Sequence, residues 1–257
     1  VLAHRLDTLD VERAIRLAPQ SGQARLAQAG AWSAFGVNRD EREKLLRDIL
    51  RDEPDNQGVL RFLAVTVLAK PNGLEECLAL NERSAALPGG DPLALFNNAR
   101  YLWSRGRQAE GYATLQRALA QRTFLSGLVL KMAMETTWRG DFAAAAATLQ
   151  QIPPTALQED RANYHAGLLR YYQGNAAAAL EIWSAFPRDY YVDFIYEGPK
   201  GLLLGLAHEL GQRDAAAKVE WRAALQLVGE KIAAAPSKPA LYYCQAYLLA
   251  CLGEKTA

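Results

Sequence analysis

The chain has 257 residues, half of them hydrophobic, and its 29 basic and 28 acidic residues leave a net charge of +1. So even a balance excludes a chain-wide electrostatic footprint for nucleic acid, and no run of like charge is long enough to form a charged tail. No apolar run approaches the roughly 18 residues of a membrane span, so membrane insertion is excluded and a soluble chain is expected, cytoplasmic rather than periplasmic.

Prolines punctuate what remains. Pro19, Pro54, Pro88, Pro153 and Pro187 close amphipathic segments, in steps of 35, 34, 65 and 34 residues, the longest step holding two units. A period of about 34 residues belongs to arrays of helix–turn–helix units, none of which buries its apolar face alone. Residues 6–19 read as the second helix of a partial unit. Unit 22–54 carries Trp32, Gly36 and the second-helix run from Glu43 to Leu46. Unit 57–88 turns at Lys70-Pro71-Asn72-Gly73, where Pro71 stops the helix and Gly73 supplies a permissive backbone.

Unit 92–122 places Leu95, Ala99 and Leu102 on one face and turns at Gly106; unit 126–153 turns at Gly140. Unit 157–187 carries Gly167 and Tyr171-Tyr172, turns at Gly174, and resumes with Ala179 and Trp183 before Pro187. Unit 198–235 turns at Gly211 and has a longer second helix; a last unit, 239–257, stops at its turn. Apolar positions at i, i+3, i+4 and i+7 favour amphipathic helices throughout. The one β-prone run, Asp189 to Tyr196, lies between two units and is expected to be a loop extending into the next helix. A repeat array shares one continuous core, so residues 1–257 are expected to form a single domain. A start at Val1 without Met and a stop at the final turn suit an excised or processed piece.

Tests for chemistry return no catalytic residue, metal site or cofactor loop. His208-Glu209-Leu210-Gly211-Gln212 opens like a helical zinc motif but has Gln where the second imidazole is required. His4 and His165 have no ligand-spaced neighbours. Gly198, Gly201 and Gly205 do not make a dinucleotide fingerprint. Glu75 and Glu76 are adjacent and diverge by about 100° on a helix; they read as a solvated first turn complementing the helix dipole. Cys77, Cys244 and Cys251 form no framework and read as small apolar packing residues.

The units resemble tetratricopeptide repeats. Unit 157–187 carries the resemblance best, with Gly167, Gly174, Ala179, Trp183 and Pro187 at the expected intervals. Unit 92–122 follows with Ala99, Leu102, Gly106 and Leu115, and unit 198–235 with Leu204-Gly205, Ala217, Trp221 and Ala224. Unit 57–88 departs most, with Pro71 in its turn. The stretch from Glu197 to Gly253 is also similar to the C-terminal repeat regions of bacterial multidomain signalling proteins. The resemblance implies an all-α, right-handed superhelix of about six and a half helical hairpins. It also implies a non-catalytic function, binding a protein or peptide segment in a concave groove lined by the first helix of each unit.

Carried over by the turns, the groove candidates are Phe62, Phe96, Asn97, Arg100, Trp103, Trp138, Arg161, Tyr164, Tyr171, Tyr172, Tyr243 and Tyr247, alongside Leu93, Leu130 and Met134. Aromatics and Arg dominate binding hot spots because they bury much area at low entropic cost. In a stacked array the same aromatics also serve as packing between units, and that reading stays open. Arg100 and Arg161 are candidates to anchor an acidic or C-terminal carboxylate group, and Asn97 and Asn98 to clamp a peptide backbone.

Two other classes remain: a small-ligand-sensing region of a bacterial regulator, and part of a larger enzyme. An enclosed cavity favours the former and an open groove favours peptide binding. An uncovered final helix, with Tyr243, Tyr247 and Leu248, points to self-association through the C-terminal end. Gly167 is expected to permit close helix approach, so that a bulky residue there disrupts its hairpin.

Overall fold

A computed structural model describes residues 11, 13–34, 39–192 and 196–254; Gly36, His4 and the middle of the β-prone run lie outside them. The chain divides into two compact units, residues 1–123 and 124–257. In the first, helices pair in chain order. They are α1 (Gly22–Ala34), α2 (Arg39–Asp52), α3 (Gln57–Leu68), α4 (Leu74–Ala86), α5 (Pro92–Ser104) and α6 (Gln108–Gln121), each packed on its sequence neighbour.

Their boundaries follow from capping. The Asn56 side chain accepts from the Val59 N–H at 3.1 Å to start α3, and Asp91 accepts from Leu93 at 3.0 Å to start α5, with Pro92 in the first turn. Leu46, Ile49, Leu63, Val67 and Cys77 are fully buried and form the core on which α2, α3 and α4 close. At the turn after α3 the left-handed residue is Asn72 (φ 62°), not Gly73. Asn tolerates that conformation, and Gly73 is needed for space, since a Cβ there would stand 1.8 Å from the Val67 carbonyl oxygen.

The second unit opens with α7 (Leu125–Met134), which runs into a π-helical turn, Glu135–Arg139, before α8 (Phe142–Leu149). The widened turn goes with a buried charge. Glu135 is 1% exposed and pairs with Lys131 at 2.6 Å. Lys131 donates to the Thr148 hydroxyl at 2.7 Å, and that hydroxyl donates to Glu135 at 2.8 Å. The network joins α7 to α8 and satisfies the carboxylate that it buries.

After a 3-10 turn (Pro154–Gln158) come α9 (Asp160–Tyr172) and α10 (Ala176–Ser184), then strands β1 (Tyr190–Val192) and β2 (Glu197–Pro199), and finally α11 (Lys200–Leu210), α12 (Asp214–Ala234) and α13 (Pro239–Leu252). Two hairpins use one lock. A Cβ at Gly167 would fall 2.0 Å from the Trp183 indole nitrogen, and one at Gly205 2.1 Å from that of Trp221. Each indole sits over its glycine and donates to the backbone three residues before it: Trp183 to Tyr164 at 3.4 Å, Trp221 to Leu202 at 3.3 Å.

The expected loop after Pro187 is instead a short antiparallel hairpin, pairing Tyr190 with Pro199 and Val192 with Glu197, and it leads directly into α11. Burial explains the strands. Tyr191 is 0% exposed, stacks on Phe186 at 4.1 Å, and donates its hydroxyl to the Asn163 amide oxygen at 2.6 Å. Leu248, expected on an uncovered face of the last helix, is instead fully buried with Trp221, Val228 and Cys244.

Candidate functional site

Within the second unit, the first helices of its last hairpins, α9 and α11, border a cleft of about 770 Å³ with α13 and β2. Helical spacing aligns the side chains. Tyr164, Leu168, Tyr171 and Tyr172 come from α9, Leu202 and Leu206 from α11, and Tyr243, Cys244 and Tyr247 from α13. The cleft opens on solvent through Tyr172, Tyr243 and Tyr247, which are 51%, 77% and 52% exposed. Its floor is drier. Tyr196, leading into β2, stacks on Tyr164 at 4.7 Å with the rings 5° from parallel, and its hydroxyl donates to the Pro199 carbonyl at 3.0 Å.

The electrostatics follow this gradient. Burial, reinforced by Tyr172, pushes the Tyr164 hydroxyl up to about 12, and burial holds Tyr196 well above the ordinary tyrosine range. Tyr171 is raised by burial and then by Glu209; Tyr247 by burial, then by Cys251 and Glu209. Cys244 is raised by burial and by Glu197, so its thiol stays protonated and donates to the Glu197 carbonyl at 3.3 Å. The one charged lining residue, Glu197, is paired with Lys238. The cleft therefore presents aromatic faces and neutral hydroxyls around a carboxylate, a surface suited to holding a ligand.

Of the sequence candidates, the cleft gathers Tyr164, Tyr171, Tyr172, Tyr243 and Tyr247. The others lie elsewhere. Arg161 lines a separate cleft of about 360 Å³ with Glu159 and Asp160, and Trp138 is 40% exposed on the π-helical turn beneath the Arg139 guanidinium. In the first unit, Phe62 is half-buried against the core, with Arg42 over its ring at 5.8 Å. Phe96 is 6% exposed, so it packs in the hairpin core, and Arg100 lies over it at 5.7 Å. Trp103 and Asn97 are half-buried. Asn98, read as a backbone clamp, is 1% exposed and committed to packing: it accepts from Asn81 at 2.8 Å and donates to the Leu78 carbonyl at 2.9 Å.

Sequence reasoning missed Tyr196, Glu197 and Cys244. Tyr196 and Glu197 lie at the end of an insertion that helical periodicity does not index; the longer step from Gly167 to Gly205 than from Ala133 to Gly167 is the signal that marks it. Among the described residues, no group of three or more His, Cys, Asp or Glu is placed to hold a metal ion. No helix among them is long and apolar enough to cross a membrane.

The fold is similar to that of a tetratricopeptide repeat protein from Parabacteroides merdae, with a TM-score of 0.65 and 17% identity over 91% of this chain and 88% of that one. It is also similar to PilW, a type IV pilus biogenesis factor, with a TM-score of 0.58 and 20% identity over 70% of this chain and 83% of that one. No family model and no curated protein matches the chain. Paired helices in chain order, small residues seated under large ones, and these two likenesses together make this an all-α chain with a tetratricopeptide-like repeat fold.

Proposed function

We propose that the chain is a non-catalytic interaction module whose tyrosine-lined cleft, formed by α9, α11 and α13, binds a segment of another protein. The observation that carries this reading is three exposed tyrosines, Tyr172, Tyr243 and Tyr247, over an apolar floor in an open cleft of about 770 Å³. Large rigid aromatics left in water at one place are the usual anchors of a protein interface. The fold supports it by analogy, since helical hairpins present first-helix side chains on a common face.

The test compares proteins retained from source-cell lysate by the chain and by a Tyr171→Ala, Tyr247→Ala double variant of matched stability. A protein held by the parent and lost by the variant is the expected outcome. Identical retention removes the cleft from the binding surface. A second reading, a small apolar ligand held against the half-buried Tyr164–Tyr196 stack, is favoured by that floor alone. It predicts a ligand-induced rise in melting temperature that a Tyr243→Ala change at the mouth leaves intact.

A further inference from the structure

Two carboxylates, Glu197 and Glu209, stand at the tyrosine cleft. Of its lining residues only Glu197 is charged, and Lys238 neutralises it. One turn beyond Leu206, on the same side of α11, stands Glu209, an exposed carboxylate with no ion pair among the described residues. It acts electrostatically on Tyr171, Tyr247 and Cys251, which places it at the end of the cleft bounded by α9 and α13. Exposed tyrosine faces beside an unpaired carboxylate lack one complement, a positive charge. Ring quadrupoles attract a cation over the face, and Glu209 supplies the counter-charge.

Resting on the reading of the cleft as a protein-binding site, we infer that its occupant is an apolar segment carrying a basic side chain, Arg or Lys, seated against Tyr171 and Tyr247 with its charge toward Glu209. This reverses the polarity expected from Arg100 and Arg161. Apolar residues of the segment cover Leu168, Leu202 and Leu206, and the cation takes the rim.

Three synthetic peptides test it, sharing one Leu-rich framework and carrying Arg, Gln or Glu at the same two positions. Binding to the whole chain is followed by fluorescence anisotropy of a labelled peptide. The Arg peptide should bind about tenfold more tightly than the Gln peptide, and the Glu peptide more weakly than either. A Glu209→Gln variant should lose about five- to tenfold for the Arg peptide and nothing for the Gln peptide. Glu209 is exposed, so the variant retains the fold, and circular dichroism checks it. Equal affinities for the three peptides, tightest binding of the Glu peptide, or indifference to Glu209→Gln overturns the charge assignment while leaving the cleft as a binding site. Binding of none of the three overturns the protein-segment reading itself.

Discussion

Single residues decide how closely paired helices approach. Gly167 lies under the Trp183 indole, so the methyl of a Gly167→Ala variant has no room unless a fully buried ring moves and breaks its bond to the Tyr164 carbonyl. Overpacking of this kind costs about 1–3 kcal/mol, and Gly167→Leu should cost more. Apart from the Gly205–Trp221 hairpin, the other complete hairpins from the second onward place Ala and Leu at the equivalent positions: Ala64 with Leu80, Ala99 with Leu115, Ala133 with Leu149. A Gly167→Ala, Trp183→Leu double variant should therefore recover part of the loss. Urea midpoints check both; an unchanged midpoint for Gly167→Ala would contradict the lock. This pairing was legible in the sequence, because small and large residues recur at fixed spacing. The identity of the left-handed residue in the 70–73 turn was not, because Asn and Gly both accept that conformation.

At the scale of elements, ion pairs tie α2 to its neighbours. Glu43, 8% exposed, is bonded by Arg47 at 2.8 Å and by Lys70, and Arg47 also reaches Glu76 on α4 at 2.5 Å. Burial alone would raise the Glu43 carboxyl; the Lys70 and Arg47 bonds outweigh it and hold the group below the usual carboxylate range. A depressed folded-state value means that the stabilisation is present above the unfolded value and is lost as pH falls through the folded one. Stability should thus decline below the ordinary carboxylate range, and a Glu43→Gln variant should be less stable at neutral pH and show a shallower acid decline. Parallel acid profiles for variant and parent would count against it. The β1–β2 hairpin shows where element reading fails. Its strands are three residues each, too short for period-two patterning to register, and what packs on them lies far off in the chain: Tyr191 meets α9 and α10, and Lys231 of α12 lies over the Tyr190 ring at 4.2 Å.

For the whole molecule, the helical-repeat architecture was legible because its physics is periodic: apolar faces return with each hairpin, and turns fall where Gly, Asn and Pro stand. The site was half legible. First-helix position led to Tyr164, Tyr171, Tyr172, Tyr243 and Tyr247, which the fold gathers, but gave no way to tell them from Phe96, which it buries. Which face of a first helix meets solvent depends on the neighbouring hairpins and, in the second unit, on an insertion that seats Tyr196 beneath Tyr164.

The central claim is that this cleft, and not the rest of the helical surface, meets another protein. The most direct test installs a photo-crosslinking amino acid in source cells at Tyr243, 77% exposed in the cleft, and separately at Val219, 62% exposed on α12 and outside the cleft's lining. The account predicts a discrete protein adduct at position 243 that is absent at position 219 and lost when Glu209 is changed to Lys. The same adducts from both positions, or none from position 243, would contradict it.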